Sequence, residues 1–203
     1  MLRVALVLVC LLGAGCTVSG SRSATDNQEV VARAVELGIA YLRQGDTLRA
    51  KENIHKALDV DPRSPEAHAS LALVFQQEQE WTLAESHFEK AIALDPKNSA
   101  ARNNFGAFLF AQGRAEEAIA QLQVGVSDQF YVRRGQAFEQ ARVLDARLDQ
   151  LGSLSSRRLL LCGLVAHHFS DEARAQDCYA AMKKRYPRTD DAKRLGDLVE
   201  ERT

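Results

Sequence analysis

The chain has 203 residues, 46% hydrophobic and 26% charged, enough for one sizeable core or a short run of stacked repeats. Its 26 basic and 27 acidic residues nearly cancel, leaving a net charge of −1. The sequence shows no basic stretch with interleaved aromatics, so nothing in it calls for nucleic acid.

Residues 1–15 read as an export signal rather than as part of the fold. Arg3 supplies the positive start, and Val4–Leu12 is an apolar run too short for an ordinary membrane span. The run closes on Leu12-Gly13-Ala14-Gly15-Cys16. Small residues before a cysteine resemble a bacterial lipobox, which implies lipidation of Cys16 as the mature N-terminus. Gly13 departs from that pattern, because leucine usually stands three places before the cysteine. The other reading is a plain secretory signal with Cys16 incidental. Thr17, not aspartate, follows the cysteine, and resemblance to Gram-negative lipoproteins then implies the periplasmic face of the outer membrane. Residues 16–28, rich in Ser, Thr and Gly, read as a flexible tether of about 15–20 Å.

From Val31 to Tyr131 one helical-hairpin pattern is written three times at a period of 34. The first copy has Leu37-Gly38-Ile39-Ala40-Tyr41, then Ala50, Ile54, Ala57 and Pro62. The second has Leu71-Ala72-Leu73-Val74-Phe75, then Ala84, Phe88, Ala91 and Pro96. The third has Phe105-Gly106-Ala107-Phe108-Leu109, then Ala118 and Leu122. Gly38, Ala72 and Gly106 are small where helices must approach closely, and Asp61-Pro62 and Asp95-Pro96 stop the second helices. This is the tetratricopeptide (TPR) pattern, and it predicts an all-α, right-handed solenoid of antiparallel helix pairs. The first helix is expected from near Gln28 to Arg43. Gln79 stands where Gly45 and Gly113 stand, at a cost of roughly 1 kcal/mol if the backbone is left-handed there.

The third copy degrades at its end. Gly125 replaces alanine and Phe130 replaces proline, so its second helix is expected to stop near Gly125. Arg133–Leu151 reads as a single amphipathic helix without a partner of its own. A degenerate repeat follows at about 156–189, with Cys162-Gly163, Ala175, Tyr179 and Pro187 at the repeat's offsets. A capping helix over 190–201 would close the stack.

The run Leu37–Gly45, the stretch Asp61–His68 and above all Asn103-Asn104-Phe105-Gly106-Ala107-Phe108-Leu109 resemble the type IV pilus biogenesis lipoproteins of the PilF/PilW kind, the pilotins. Ser156–Leu161 and Lys183–Pro187 resemble that family's end. Proteins of this family carry about six repeats, and by that measure a block near Glu139–Arg142 is lacking here. The resemblance implies an outer-membrane lipoprotein that binds the secretin subunit and helps it reach the membrane or assemble. It implies no enzyme and no cofactor, small-molecule substrate or nucleic acid. The alternative is a periplasmic TPR lipoprotein that scaffolds cell-wall enzymes or other envelope complexes.

By resemblance to other TPR folds, the first helices line a concave groove. Its expected lining includes Val35, Ile39, Leu42 and Arg43, then Leu73 and Gln76, then Asn103, Ala107 and Phe110. An apolar groove suits a peptide with hydrophobic anchors. The other reading for Val35, Ile39 and Leu42 is burial against neighbouring repeats, and for Asn103 a structural role. A carboxylate clamp is not expected, since its positions hold Val35, Ile39, Ser70, Ala100 and Asn104, none of them charged. No phosphate loop, zinc-ligand spacing or nucleophile elbow is present. Cys162 and Cys178 flank the hairpin turn at equal distances and are either a disulfide or two small core residues. His167 and His168 are adjacent, pointing about 100° apart on a helix, which makes a poor chelate.

Overall fold

The computed structural model describes residues 20–200 apart from 129, 151, 153 and 154, with side chains from Thr25 onward. Cys16, the export signal and the first part of the tether lie outside the described residues. Among the described residues ten α-helices follow one another: α1 (Gly20–Arg43), α2 (Thr47–Val60), α3 (Pro65–Gln77), α4 (Trp81–Leu94), α5 (Ser99–Ala111), α6 (Ala115–Ser127), α7 (Arg134–Gln150), α8 (Ser156–His168), α9 (Glu172–Arg185) and α10 (Asp190–Glu200). The pairs α1–α2, α3–α4, α5–α6 and α8–α9 are tight antiparallel hairpins stacked side by side.

Local chemistry sets the boundaries. Asp46, Ser64 and Asn98 cap α2, α3 and α5 by accepting from Arg49, Ala67 and Ala101 backbone N–H groups at 2.9–3.1 Å. Gly45 and Gly113 hold φ of +82° and +77° in the hairpin turns, and Gln79 adopts the same left-handed turn at +62°. Close packing explains the small residues. A Cβ on Gly38 would lie 2.6 Å from Ile54 Cγ1, and one on Gly106 2.7 Å from Leu122 Cγ.

The central core gathers Phe88, Phe105, Phe108, Leu122 and Phe138. Phe88 stacks on Phe105 with ring centroids 5.3 Å apart. Trp81, at the α3–α4 turn, lies over Phe108 at 6.4 Å.

Two expectations are corrected. First, α1 starts at Gly20, so residues 20–28 extend the first helix instead of forming tether. Second, α6 runs through Gly125 to Ser127. Full burial of Val126 there outweighs the glycine, at about 1.5–3 kcal/mol against about 1. Helix α7 forms a hairpin with neither neighbour, as expected. Its stripe of Ala137, Phe138, Ala141, Leu144 and Leu148 is covered by α6 and α8. At the far end α10 closes the stack, with Leu195 seated on Gly163, where a Cβ would collide with it.

Candidate functional site: the groove of the first helices

Helices α1, α3, α5 and α7 contact one another in series, and the predicted groove residues divide among them. Val35 is buried with Val31, Ala67 and Leu71, so it is core rather than groove surface. Asn103 is 1% exposed and is likewise withdrawn from any partner. Its Cβ lies beside Gly125, where α5 meets α6, and its Oδ1 has no hydrogen-bond partner among the described residues. Val35 is covered by α3 of the next repeat, and Asn103 faces α6 of its own hairpin. Ile39, Leu42 and Leu73 are half-buried and pack against the core. Arg43 is exposed in the last turn of α1. Gln76 is half-buried with an unpartnered Oε1.

Ala107 and Phe110 form part of a cavity of about 260 Å³. Leu122 makes its floor, and Glu139, Gln140 and Val143 of α7 complete it. The lining is almost entirely carbon. Its polar side chains lie on the rim, where Arg142 holds Glu139 at 2.9 Å. Gln140 Oε1 is buried without a hydrogen-bond partner among the described residues. Sequence reasoning missed the α7 contribution. The signal was the spacing of Gln140 and Val143, which places them together on the side of α7 away from its buried stripe.

Several other candidate groups are engaged within the fold. His168 stacks flat on Phe138 with centroids 3.8 Å apart, and burial lowers its pKa. Cys162 and Cys178 are bonded as a disulfide across the α8–α9 hairpin, Cα atoms 6.2 Å apart. Ser70 donates to the Glu66 carbonyl at 2.8 Å and is buried, as its place in a carboxylate clamp would not allow.

A stack of helical hairpins with an apolar trough along its first helices defines a tetratricopeptide-repeat protein. Residues 35–99 and 75–130 match the tetratricopeptide repeat family. The chain is 40% identical over 153 residues to the type IV pilus assembly protein PilF of Pseudomonas aeruginosa, an alignment covering 73% of this chain and 61% of that protein. It is 34% identical over 122 residues to an uncharacterized protein of Haemophilus influenzae, covering 60% of this chain and 68% of the relative. A solved structure of Pseudomonas aeruginosa PilF superposes with a TM-score of 0.53 at 29% identity, covering 85% of this chain and 99% of that one. The chain is a tetratricopeptide-repeat protein, similar over most of its length to the type IV pilus assembly protein PilF. It spans 61% of the length of the PilF relative in that sequence alignment.

Proposed function

We propose that this chain is a pilotin. It is lipidated at Cys16, held at the periplasmic face of the outer membrane, and binds the secretin subunit of the type IV pilus machinery to promote its localisation or multimer assembly. The observation that carries the reading is the apolar cavity under Ala107, Phe110 and Val143, in a chain related to a type IV pilus assembly protein. A cavity of that size has room for more than one hydrophobic side chain of a partner segment. Ile39, Leu42 and Leu73 continue the apolar track, and Arg43 and Gln76 supply polar contacts beside it. Lasting attachment requires more than one acyl chain at Cys16, since one alone binds membranes only marginally.

The test is capture of the secretin by the full chain from envelope extract, comparing the natural sequence with Phe110→Asp and Val143→Asp. Val143 is 54% exposed, so its substitution leaves the core intact. Both variants are expected to keep their helical content and lose the secretin. Undiminished capture by both, with helical content preserved, rejects the groove as the binding site.

A further inference from the structure

The loop joining α6 to α7 presents two large apolar side chains to water. Phe130 is 93% exposed and Val132 97%. The turn that holds them is firmly tied. Asp128 Oδ1 accepts from the Phe130 N–H at 3.0 Å, and its Oδ2 accepts from the Ser99 hydroxyl at 2.5 Å. Arg134 N–H donates to the Tyr131 carbonyl at 2.9 Å, and Arg134 Nε to the Val126 carbonyl at 2.8 Å. Tyr131, between the two exposed residues, packs inward against the central core. The alternation of out, in, out is therefore built into the backbone, and the apolar tip is displayed rather than left over.

Cations line the cleft that shares Asp128 with this turn. The cleft has a volume of about 440 Å³, and its wall includes Lys97, Ser99, Ser127, Asp128 and Arg194. Among the described residues neither Lys97 nor Arg194 has a carboxylate partner, and Arg194 reaches the Ser127 hydroxyl at 3.5 Å. Arg133, next to Val132, is exposed and also lacks a carboxylate partner among them. The one acidic group in the cleft wall, Asp128, is occupied in tying the turn.

We infer that this edge docks on an anionic phospholipid bilayer. Phe130 and Val132 enter the boundary between headgroups and acyl chains, while Lys97, Arg133 and Arg194 meet headgroup phosphates. An apolar knob on the same edge as cations that lack carboxylate partners among the described residues matches a surface that is greasy within and anionic at its face. Each cation near such a surface strengthens partitioning about fivefold. The inference is independent of the groove, because it uses none of the residues lining the Phe110 cavity.

The experiment reconstitutes the full chain with Phe130→Trp on vesicles of phosphatidylethanolamine and phosphatidylglycerol, and on phosphatidylcholine alone. The spectrum of the parent chain, which carries Trp81, is subtracted. The added indole is expected to shift to the blue and to be quenched by brominated acyl chains on the anionic vesicles. Lys97→Glu with Arg194→Glu is expected to abolish both signals with helical content unchanged. Water-like emission on both kinds of vesicle overturns the proposal. So does the same blue shift produced by polyglutamate or inorganic phosphate without vesicles, which would assign the edge to an acidic protein or a free anion.

Discussion

Arg158 of α8 lies 3.1 Å from Asp145 of α7, with only 4% and 3% of the two side chains in contact with water. Asp149 takes the far nitrogen of the same guanidinium at 2.5 Å, and Arg174 of α9 reaches Asp145 from the other side at 2.6 Å. This network adds a polar tie between α7, the helix without a hairpin partner, and the C-terminal hairpin, beside the apolar contact with Leu161 and Val165.

Removing one member of that pair takes from the other one of its two counter-ions, leaving Asp145 with Arg174 alone or Arg158 with Asp149 alone. Asp145→Ala or Arg158→Ala is expected to cost up to about 3–5 kcal/mol of folding stability. Replacing both together with leucine and methionine is expected to recover most of the loss, because the pair's mutual attraction has to offset its own desolvation. Urea unfolding of the three variants decides it. Additive single costs would mean that the two residues do not act as a pair.

A smaller effect is expected at the second hairpin turn. Gln79 sits at φ +62°, where its counterparts are Gly45 and Gly113. Its side chain is exposed, so little packing is at stake. Gln79→Gly is expected to raise stability by about 1 kcal/mol or slightly less, the gain from relieving the left-handed strain being reduced by glycine's greater freedom when unfolded. A rise in the thermal midpoint checks it.

The contrast between these two sites shows what the chain makes legible. Gln79 could be read in advance because a 34-residue repeat compares each turn with its siblings. The hairpins of α1 to α6 were legible for the same reason, through Gly38, Ala72 and Gly106. Asp145 and Arg158 lie outside the regular repeats, and nothing in their spacing separates a buried pair from two surface charges. The covering of α7 was hidden likewise: its stripe announces a helix but not which neighbour lies on it. The start of α1 was missed because Thr25, Asp26, Asn27 and Gln28 are all exposed and leave no apolar period to read. Half of the candidate site was legible. Repeat offsets found Ala107 and Phe110, but they also nominated Val35 and Asn103, which local packing turns inward, and they could not reach Gln140 and Val143.

Acid is expected to loosen the α3–α4 hairpin. His68 Nε2 lies 3.2 Å from the Pro62 carbonyl, so that nitrogen carries the proton and donates. His68 Nδ1 is then the acceptor for the His87 Nδ1–H, 3.1 Å away. Burial, then the neighbouring His68, Lys90 and His55, lower the His87 pKa from 6.5 to about 4. His68 is lowered too, chiefly by burial and with Lys90 adding to it, against the Pro62 carbonyl and Asp61. The unfolded chain therefore binds protons before the folded one does. Stability is complete above pH 6.5 and declines as pH falls toward 4, on the order of 2 kcal/mol over that range. His87→Asn keeps a donor near Nδ1 without the titration, and it is expected to flatten the profile of unfolding free energy between pH 7 and pH 4. An unchanged slope would place the acid sensitivity elsewhere.

Gly106 tests whether close helix approach holds the third repeat together. A methyl group there would stand 2.7 Å from Leu122 Cγ and 3.2 Å from the Ala118 carbonyl oxygen. Leu122 is buried in the central core and forms the floor of the groove cavity, so it has little room to retreat. Gly106→Ala is thus expected to destabilise by about 1–3 kcal/mol, even though alanine is the better helix former by about 1 kcal/mol. Leu122→Ala alone should cost about 2–5 kcal/mol through the void it opens. In that background the clash with Leu122 is gone and the added methyl fills part of the void. Gly106→Ala should then become neutral or stabilising. Chemical unfolding of the four members of this cycle reads the sign directly. The same penalty for Gly106→Ala in both backgrounds would show that the Ala118 carbonyl, not Leu122, sets the limit on how near α5 can come to α6.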